Sequence, residues 1–308
     1  GNYGESFVMR LLDPRNAVSD LNKIAFPKKL REVIDYAIKR PNGVILTTGP
    51  TGSGKTTTLY AFLHTTYSPE IKIITIEDPV EYHLEGITQT QVDVKKGYTF
   101  VSGLRAALRQ DPDIIMVGEI RDEDTAKVAI NAALTGHLVF STLHTNNAAG
   151  TIPRLIDLGV NPKVIAGALS LSLAQRLVRK LCPECKQVYE TNEKESRVIT
   201  NILGEMKTSN KTESMMGHNP ELSYQLYHAA GCVACGGTGY KGRIGIFEAV
   251  IMNAEVEKVL ITNPSEREIV QASKNQGIPS LREDAIIKVL EGITSIDEVS
   301  KTVDLYAE

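Results

Sequence analysis

The sequence GPTGSGKT at residues 49–56 has the pattern G-x-x-x-x-G-K-[ST], which is typical of loops that bind nucleotide phosphates. An apolar run precedes it, and an amphipathic segment starts at Lys55. Gly49, Gly52 and Gly54 allow a tight turn with inward N–H groups, and the next helix adds the positive end of its dipole. A glycine-rich turn without a ligand is the alternative, but strand, loop and helix fall where a phosphate-binding loop requires them.

This loop predicts the binding of ATP together with Mg²⁺. We expect Lys55 to contact the β- and γ-phosphates and Thr56 to ligate Mg²⁺. The expected nucleotide contacts comprise the loop and the start of the helix, namely Gly49, Pro50, Thr51, Gly52, Ser53, Gly54, Lys55, Thr56 and Thr57.

Two acidic residues lie near the carboxyl ends of apolar runs, the edge at which open α/β sheets bind ligands. Glu77 follows residues 71–76, and Glu119 follows residues 114–117. Glu119 stands in the Walker B position, with Gly118 in place of the usual Asp, so Glu119 is expected to serve Mg²⁺, the attacking water, or both. Glu77 is then a natural general base for that water. A salt bridge or a helix cap is the alternative for either acid, but it explains both together less well.

Two histidines bracket the apolar run at residues 138–141. His144 follows the predicted strand, so we expect it beside the γ-phosphate. His137 begins the strand and needs a neighbouring subunit or a bent chain to reach the same place. The alternative for each histidine is a purely structural role.

Arg105 and Arg109 lie four residues apart on one predicted helix and therefore share a face. They form either a solvated basic stripe paired with acids or a pair that neutralises the transferring phosphate. In the second case they act as arginine fingers across a subunit contact. The sequence leaves both interpretations open.

Two C-x-x-C pairs, Cys182 with Cys185 and Cys232 with Cys235, are separated by 46 residues. Each pair can bind one side of a metal ion, and four thiolates without an open position predict a structural, tetrahedral Zn²⁺. A redox dithiol is the alternative, but it requires a thioredoxin-like βαβ context that the sequence does not show.

Composition narrows the class of protein further. A chain of 308 residues suggests two or three folded units. The net charge of -3 gives no surplus of positive charge, which argues against a nucleic-acid partner. No apolar stretch reaches the length of a membrane span, and the first residues show no export signal, so we expect a cytoplasmic protein.

From residue 43, short apolar runs alternate with amphipathic segments, which predicts an α/β fold with a mostly parallel sheet covered on both faces. The predicted strands are residues 44–46, 71–76, 114–117 and 138–141. The predicted helices are residues 30–39, 55–66, 103–110 and 123–134.

Other segments show weaker patterns. Residues 1–12 alternate as a strand does, and residues 87–94 predict an added hairpin. The chain after Pro153 predicts helix through residues 165–181, and the polar stretch at residues 190–220 predicts a mobile segment. The tail from residue 253 has the periodicity of amphipathic helices.

Six segments together resemble the assembly ATPases of type II secretion and type IV pili. They are GPTGSGKTTTLY, ITIEDPVEY, LRAALRQDPDIIMVGEIRD, TGHLVFSTLHTN, AQRLVRKLCPEC and YKGRIGIFE, and they span nearly the whole chain. The resemblance implies a RecA-like P-loop NTPase core, then a tetracysteine zinc module and a C-terminal helical subdomain. It also implies a homohexameric ATP-hydrolysing motor that extracts pilin subunits through an inner-membrane platform protein and further machinery components.

The resemblance also implies roles for single residues. Glu77 matches the acid of the family's Asp box, Glu119 ends its Walker B motif, and His137 and His144 belong to its His box. FVMRLLD resembles the last strand of a preceding domain, which makes Arg10 a candidate finger toward a neighbour's nucleotide.

Arg243, in GRIGIFE, matches an arginine that reaches toward the nucleotide in the secretion members. The cysteine pairs match a zinc module that the related pilus-retraction ATPases lack, which makes retraction the weaker interpretation. A nucleic-acid translocase built on the same core and a non-enzymatic ATP-binding scaffold are two further interpretations that the sequence leaves open.

These observations predict a motor for type IV pilus assembly or type II secretion, at the inner face of the cytoplasmic membrane and attached to it through partners. The predicted organisation is a remnant of a preceding domain (1–13), a linker (14–28), a RecA-like ATPase domain (29–178), a zinc-binding module (179–247) and a helical subdomain (248–308).

Overall fold

The structure, a computed structural model, describes residues 4–5, 20–209, 211 and 224–306. Arg10 and most of the predicted first strand lie outside these residues. The strands are β1 (Gly43–Thr48), β2 (Ile73–Glu77), β3 (Thr88–Gln91), β4 (Ile114–Val117), β5 (Leu138–Leu143), β6 (Leu169–Leu181), β7 (Lys186–Glu190), β8 (Gln225–Ala229) and β9 (Tyr240–Ile251).

The helices flank these strands along the whole described chain. They are α1 (Lys28–Ala37), α2 (Lys55–Thr66), α3 (Phe100–Leu108), α4 (Glu123–Leu134), α5 (Thr151–Asp157), α6 (Pro162–Ala168), α7 (Glu193–Thr208), α8 (Ala254–Thr262), α9 (Glu266–Ser273), α10 (Leu281–Leu290) and α11 (Ile296–Val299). Within the described ranges, no helix combines the length and the apolarity that crossing a bilayer requires.

In the described residues, seven strands form one sheet in the order β3-β2-β4-β5-β1-β6-β9. The pairings from β3 to β6 are all parallel, and β9 joins β6 antiparallel. Every residue of β1, β2, β4 and β5 is buried. Their continuous Val, Ile and Leu runs fit this position, because parallel strands are covered on both faces.

Apolar side chains of the described residues form two layers, one on each face of this sheet. Neighbouring residues of β1 alternate between them, with Val44 in one layer and Ile45 in the other. Helices α3 and α4 contribute to the first layer and α2 to the second. The predicted arrangement of helices on both faces is therefore confirmed.

Strand β3 corrects the hairpin predicted at residues 87–94. It pairs parallel with β2, with Thr88 opposite Ile74 and Gln91 opposite Glu77, and forms the edge of the main sheet. Alternation of apolar and polar residues marks a half-buried strand but carries no information on its direction. The connection after Glu77 returns the chain to the start of β2 before β3 begins.

Strand β6 corrects the helix predicted through residues 165–181. Helix α6 ends at Ala168, and the next thirteen residues form a strand between β1 and β9. Leu171 and Leu173 point into one apolar layer and Ala174 into the other. The sequence LSLSLA has this alternation with a period of two, but only pairing with strands distant in sequence selects the strand over the helix.

Helix α7 corrects the mobile segment predicted at residues 190–220, as far as Thr208. Its apolar residues recur with helical spacing and are buried, and Asn192 and Glu195 form a capping box at its start. Residues 212–220 lie outside the described part of the chain. The predicted boundaries at 178 and 247 fall within β6 and β9, so the sheet crosses both, and the division into domains stays a prediction.

Candidate functional site

The loop at residues 49–56 joins the buried end of β1 to the start of α2. Gly54 is the N-cap of α2, and both Gly52 and Gly54 have positive φ angles, of 79° and 91°. Side chains of L-amino acids rarely adopt this conformation, so glycine is required at these turns. The loop therefore ends at the N-terminus of the twelve-residue helix α2, where the first backbone N–H groups have no partner within the helix.

Lys55 folds back over this loop. Its Nζ donates hydrogen bonds to the carbonyl oxygens of Gly49, at 2.8 Å, and Pro50, at 3.1 Å. Burial lowers the pKa of Lys55, the carboxylate of Glu119 opposes this shift, and the charge of Arg176 adds to it. The loop thus holds a partly desolvated ammonium group, whose attraction for an incoming anion is screened less by water than at the surface and is opposed by the charge of Glu119.

A cavity of about 560 Å³ opens over the loop. Six of the predicted nucleotide contacts line this cavity, namely Thr51, Gly52, Gly54, Lys55, Thr56 and Thr57. The other predicted residues that line it are Glu77, Glu119, His144 and Arg243. Gly49, Pro50 and Ser53 belong to the loop but do not line this cavity.

Glu119 follows β4 and lies in the cavity beside His144, which follows the neighbouring strand β5. Its Oε2 is 2.5 Å from Nε of Arg121 and 3.5 Å from Nε2 of His144. The Glu119 side chain is 12% exposed, whereas those of Arg121 and His144 are 65% and 51% exposed. The carboxylate is therefore fixed in the wall, while its two partners remain free to move toward solvent. Arg121 was not predicted from the sequence.

Glu77 ends β2 and is almost completely buried, at 2% exposure. Its carboxylate accepts hydrogen bonds from the Tyr60 hydroxyl, from Thr75 Oγ1 at 2.6 Å and from Gln89 Nε2 at 3.1 Å. Burial and the hydrogen bond to Glu77 raise the pKa of Tyr60, so this phenol keeps its proton and acts as a donor. Gln89 lies on β3, and its role depends on the parallel pairing that the sequence did not predict.

Tyr60 was also missed, although it lies within the segment GPTGSGKTTTLY. It is five residues after Lys55 on α2 and is 3% exposed. The sequence signal is weak, because a tyrosine on a helix that covers a sheet is usually a core residue. Only its hydrogen bond to the carboxylate of Glu77 distinguishes Tyr60 from a tyrosine of the core.

The structure does not bring His137, Arg105 or Arg109 to this cavity. His137 lies at the opposite end of β5, where its Nδ1 is 2.9 Å from the carbonyl oxygen of Ala132. Arg105 and Arg109 lie exposed on and just after α3. None of these three lines the cavity of its own chain.

The four cysteines come together at the far end of β6 and β9. Their sulfur atoms all lie within 4.8 Å of one another. The distance from Cys182 to Cys232 is 3.9 Å, as is that from Cys185 to Cys235, and Cys232 lies 3.7 Å from Cys235. Four sulfurs at about 2.3 Å from one tetrahedral Zn²⁺ are separated by about 3.8 Å, so the cluster fits this ion.

Sheet pairing closes the gap of 46 residues between the cysteine pairs. Leu181 pairs with Tyr240, and β7 and β8 pair antiparallel between the two pairs. Backbone N–H groups of Cys232, at 3.2 Å, and Gly239, at 3.1 Å, donate to the sulfur of Cys235. These bonds lower the pKa of Cys235 to about 6, whereas burial raises the pKa of Cys185 to about 12, so Cys235 is the thiolate of these two cysteines.

Comparison with known proteins agrees with this arrangement. The chain is 46% identical to the type II secretion system protein E of Pseudomonas aeruginosa over 296 residues, which cover 96% of this chain and 55% of that protein. It is 43% identical to the type IV pilus assembly ATPase PilB of Thermus thermophilus over 303 residues, or 98% of this chain and 32% of that protein. The chain thus spans about half the length, or less, of these relatives.

A solved structure of the pilus retraction motor PilT with bound ADP superimposes with a TM-score of 0.64 and 28% sequence identity. The match covers 96% of this chain and 69% of that one, and it confirms the predicted RecA-like α/β core. The family described as Type II/IV secretion system protein matches residues 1–301. With this match and the close relatives above, the chain belongs to the Type II/IV secretion system protein family.

Proposed function

We propose that the chain binds ATP with Mg²⁺ in the cavity above the loop and hydrolyses it, as the motor part of a type IV pilus assembly or type II secretion machine. The observation that supports this most directly is that the phosphate-binding loop, Glu77 and Glu119 line one cavity. Relatives at 43–46% identity are named for type II secretion and type IV pilus assembly, whereas the retraction motor is 28% identical. This difference favours assembly or secretion over retraction.

In this proposal the loop N–H groups and Lys55 hold the phosphates, and Thr56 with Glu119 holds the metal shell. Mg²⁺, when bound, neutralises charge on the β- and γ-phosphates. Glu119 takes the proton of the attacking water, because its partners Arg121 and His144 are exposed enough to turn away. Glu77 orients the water, since its own hydrogen bonds hold its carboxylate in one position.

Glu119→Gln tests the hydrolytic step. We expect kcat to fall at least a hundredfold, because the amide cannot accept the proton, while ADP affinity changes little. Phosphate release and calorimetric ADP binding measure the two quantities. Glu123→Gln is the matched control, since Glu123 is an exposed residue on α4 that pairs with Lys127, and it should leave both unchanged. Phosphate release that stays at background in the wild type and is unchanged in Glu119→Gln, with ADP still bound, would instead support a non-enzymatic ATP-binding scaffold.

Tyr60→Phe tests the support of Glu77. Loss of one hydrogen bond to a buried carboxylate should lower kcat by roughly tenfold or more with little change in KM, since such bonds contribute about 1.5–3 kcal/mol. Steady-state kinetics separate these parameters. Tyr98→Phe serves as the control. It removes a comparable hydroxyl, which donates a 2.8 Å hydrogen bond to Thr90 Oγ1 outside the cavity. Equal kcat values in the two variants would exclude this role for Tyr60.

We further propose that Zn²⁺ occupies the cysteine cluster and holds β7 and β8 to the main sheet. Elemental analysis of metal-replete protein should find one zinc per chain. Cys235→Ser should lower both the zinc content and the thermal unfolding temperature, because three thiolates leave an open position. Thiol titration of the chelated protein should find four free thiols. Less than one zinc per chain, or a disulfide within a C-x-x-C pair, would contradict the proposal and favour a redox dithiol.

The active assembly is proposed to be a homohexamer at the cytoplasmic face of the membrane, attached through a platform protein and other machinery components. Arg243 lines its own chain's cavity, whereas Arg105 and Arg109 are exposed outside it, where a neighbouring subunit can meet them. Together with Arg10, they are the candidate fingers. Turnover per chain should rise with protein concentration as subunits associate, in parallel with the mass measured by light scattering. Full turnover by a monomer would contradict this arrangement.

A further inference from the structure

Gln175 on β6 joins the two sides of the loop-helix junction. Its side chain is buried, and its Nε2 donates a 2.7 Å hydrogen bond to the carbonyl oxygen of Ser53 in the loop. Its Oε1 accepts a 2.9 Å hydrogen bond from the hydroxyl of Thr58 on the first turn of α2. One amide group therefore holds the chain on both sides of Lys55 and Thr56.

The same strand fills the space beneath the loop. A side chain at Gly49 would collide with the backbone carbonyl oxygen of Gln175, and a Cβ on Gly54 would lie 3.0 Å from its Nε2. Both glycines therefore have a packing requirement against Gln175, in addition to the turns that they form. The loop rests directly on this residue.

Gln175 itself lies in a part of the sheet that is paired on both sides. Its neighbour Ala174 pairs with Thr48, the last residue of β1, and Gln175 pairs with Phe247 of β9. The next residue, Arg176, donates a hydrogen bond to the carbonyl oxygen of Asn146. Strands on both sides thus fix the position from which the amide reaches the loop.

We infer that Gln175 is a positioning residue that holds the phosphate-binding loop in the shape that aims its N–H groups and Lys55 into the cavity. Without the amide, the buried carbonyl oxygen of Ser53 loses its hydrogen-bond donor, and the loop shifts to conformations in which this oxygen finds another donor. A ligand must then restore the loop as it binds, which lowers its affinity. Gln175 does not line the cavity, so it acts through the loop. This inference rests on the proposed nucleotide binding.

Gln175→Met, in the full chain, tests this role with Mg²⁺-ADP and AMP as probes in calorimetric titrations. We expect the affinity for ADP to fall at least tenfold and that for AMP to fall less, because Lys55 and the loop act on the β-phosphate that AMP lacks. The ratio of the two affinities is the decisive quantity, since a general loss of stability does not change it. Gln175→Glu, which keeps an acceptor for Thr58 but cannot donate to Ser53 when ionised, should show the same fall in ratio.

Gln276→Met is the matched control. Gln276 also bonds backbone groups at both ends of its amide, with the N–H and the carbonyl of Ile251, but it lies outside the cavity. This variant should unfold more easily and keep the wild-type ratio of ADP to AMP affinity. Circular dichroism and thermal unfolding report on folding in each variant.

The outcomes separate this inference from the proposed function. If the wild-type chain does not bind ADP, the proposed nucleotide site is wrong and the inference falls with it. If the wild type binds ADP and folded Gln175→Met keeps its ratio, only the inference is overturned. If Gln175→Met does not fold, the variants Gln175→Glu and Thr58→Val take its place in the test. A wild-type ratio of ADP to AMP affinity in both variants would overturn the inference.

Discussion

Parallel pairing of β1 with β5 and of β2 with β4 is the constraint on which the site depends. In this register Thr48 lies opposite Leu143, and Ile76 lies opposite Val117. All these strands run in one direction, so the segments that follow them leave the sheet at one edge. The loop at residues 49–56, Glu119 and His144 lie in these segments, and Glu77 ends β2, which is why side chains far apart in sequence line one cavity.

Buried hydroxyl groups fix the segments that leave this edge. Thr142 donates to the carbonyl oxygen of Gly118 at 2.8 Å, directly before Glu119. The hydroxyl of Thr48 accepts a hydrogen bond from the N–H of Thr145, also at 2.8 Å, directly after His144. Each hydroxyl satisfies a backbone group, and it also positions the neighbouring residue of the proposed site.

The C-terminal half of the described chain is attached through the same sheet. β6 and β9 continue past the parallel core, and the cysteine cluster forms where their pairing ends. Arg179 at this end of β6 binds both carboxylate oxygens of Glu298 and covers the ring of Tyr240 at 4.1 Å. The cluster and the last helices are thus joined to the cavity by continuous strands.

Local patterns were sufficient for the features that depend on a short stretch of chain. The sequence predicted the loop, the bounds of α2 and α4, the strand β4 and the cysteine pairs, because each is recognised by spacing within a few residues. The resemblance of six segments to the secretion and pilus assembly ATPases implied the RecA-like core, and the match to PilT confirms it.

The tertiary structure decided the features that depend on partners distant along the chain. The residues LSLSLA form a strand rather than a helix because they pair with β1 and β9. Strand β3 lies parallel at the edge of the sheet because it pairs with the side of β2 that no other strand occupies in the described residues. Tyr60 and Gln175 lie within two of the quoted segments, but no spacing in those segments indicates the roles proposed for them. These roles come from Glu77 and Ser53, which only folding places beside them. Sequence by itself determined which groups can perform the chemistry, whereas the pairing of distant strands decided which of them meet, because hydrogen bonds and packing act over distances in space and not along the chain.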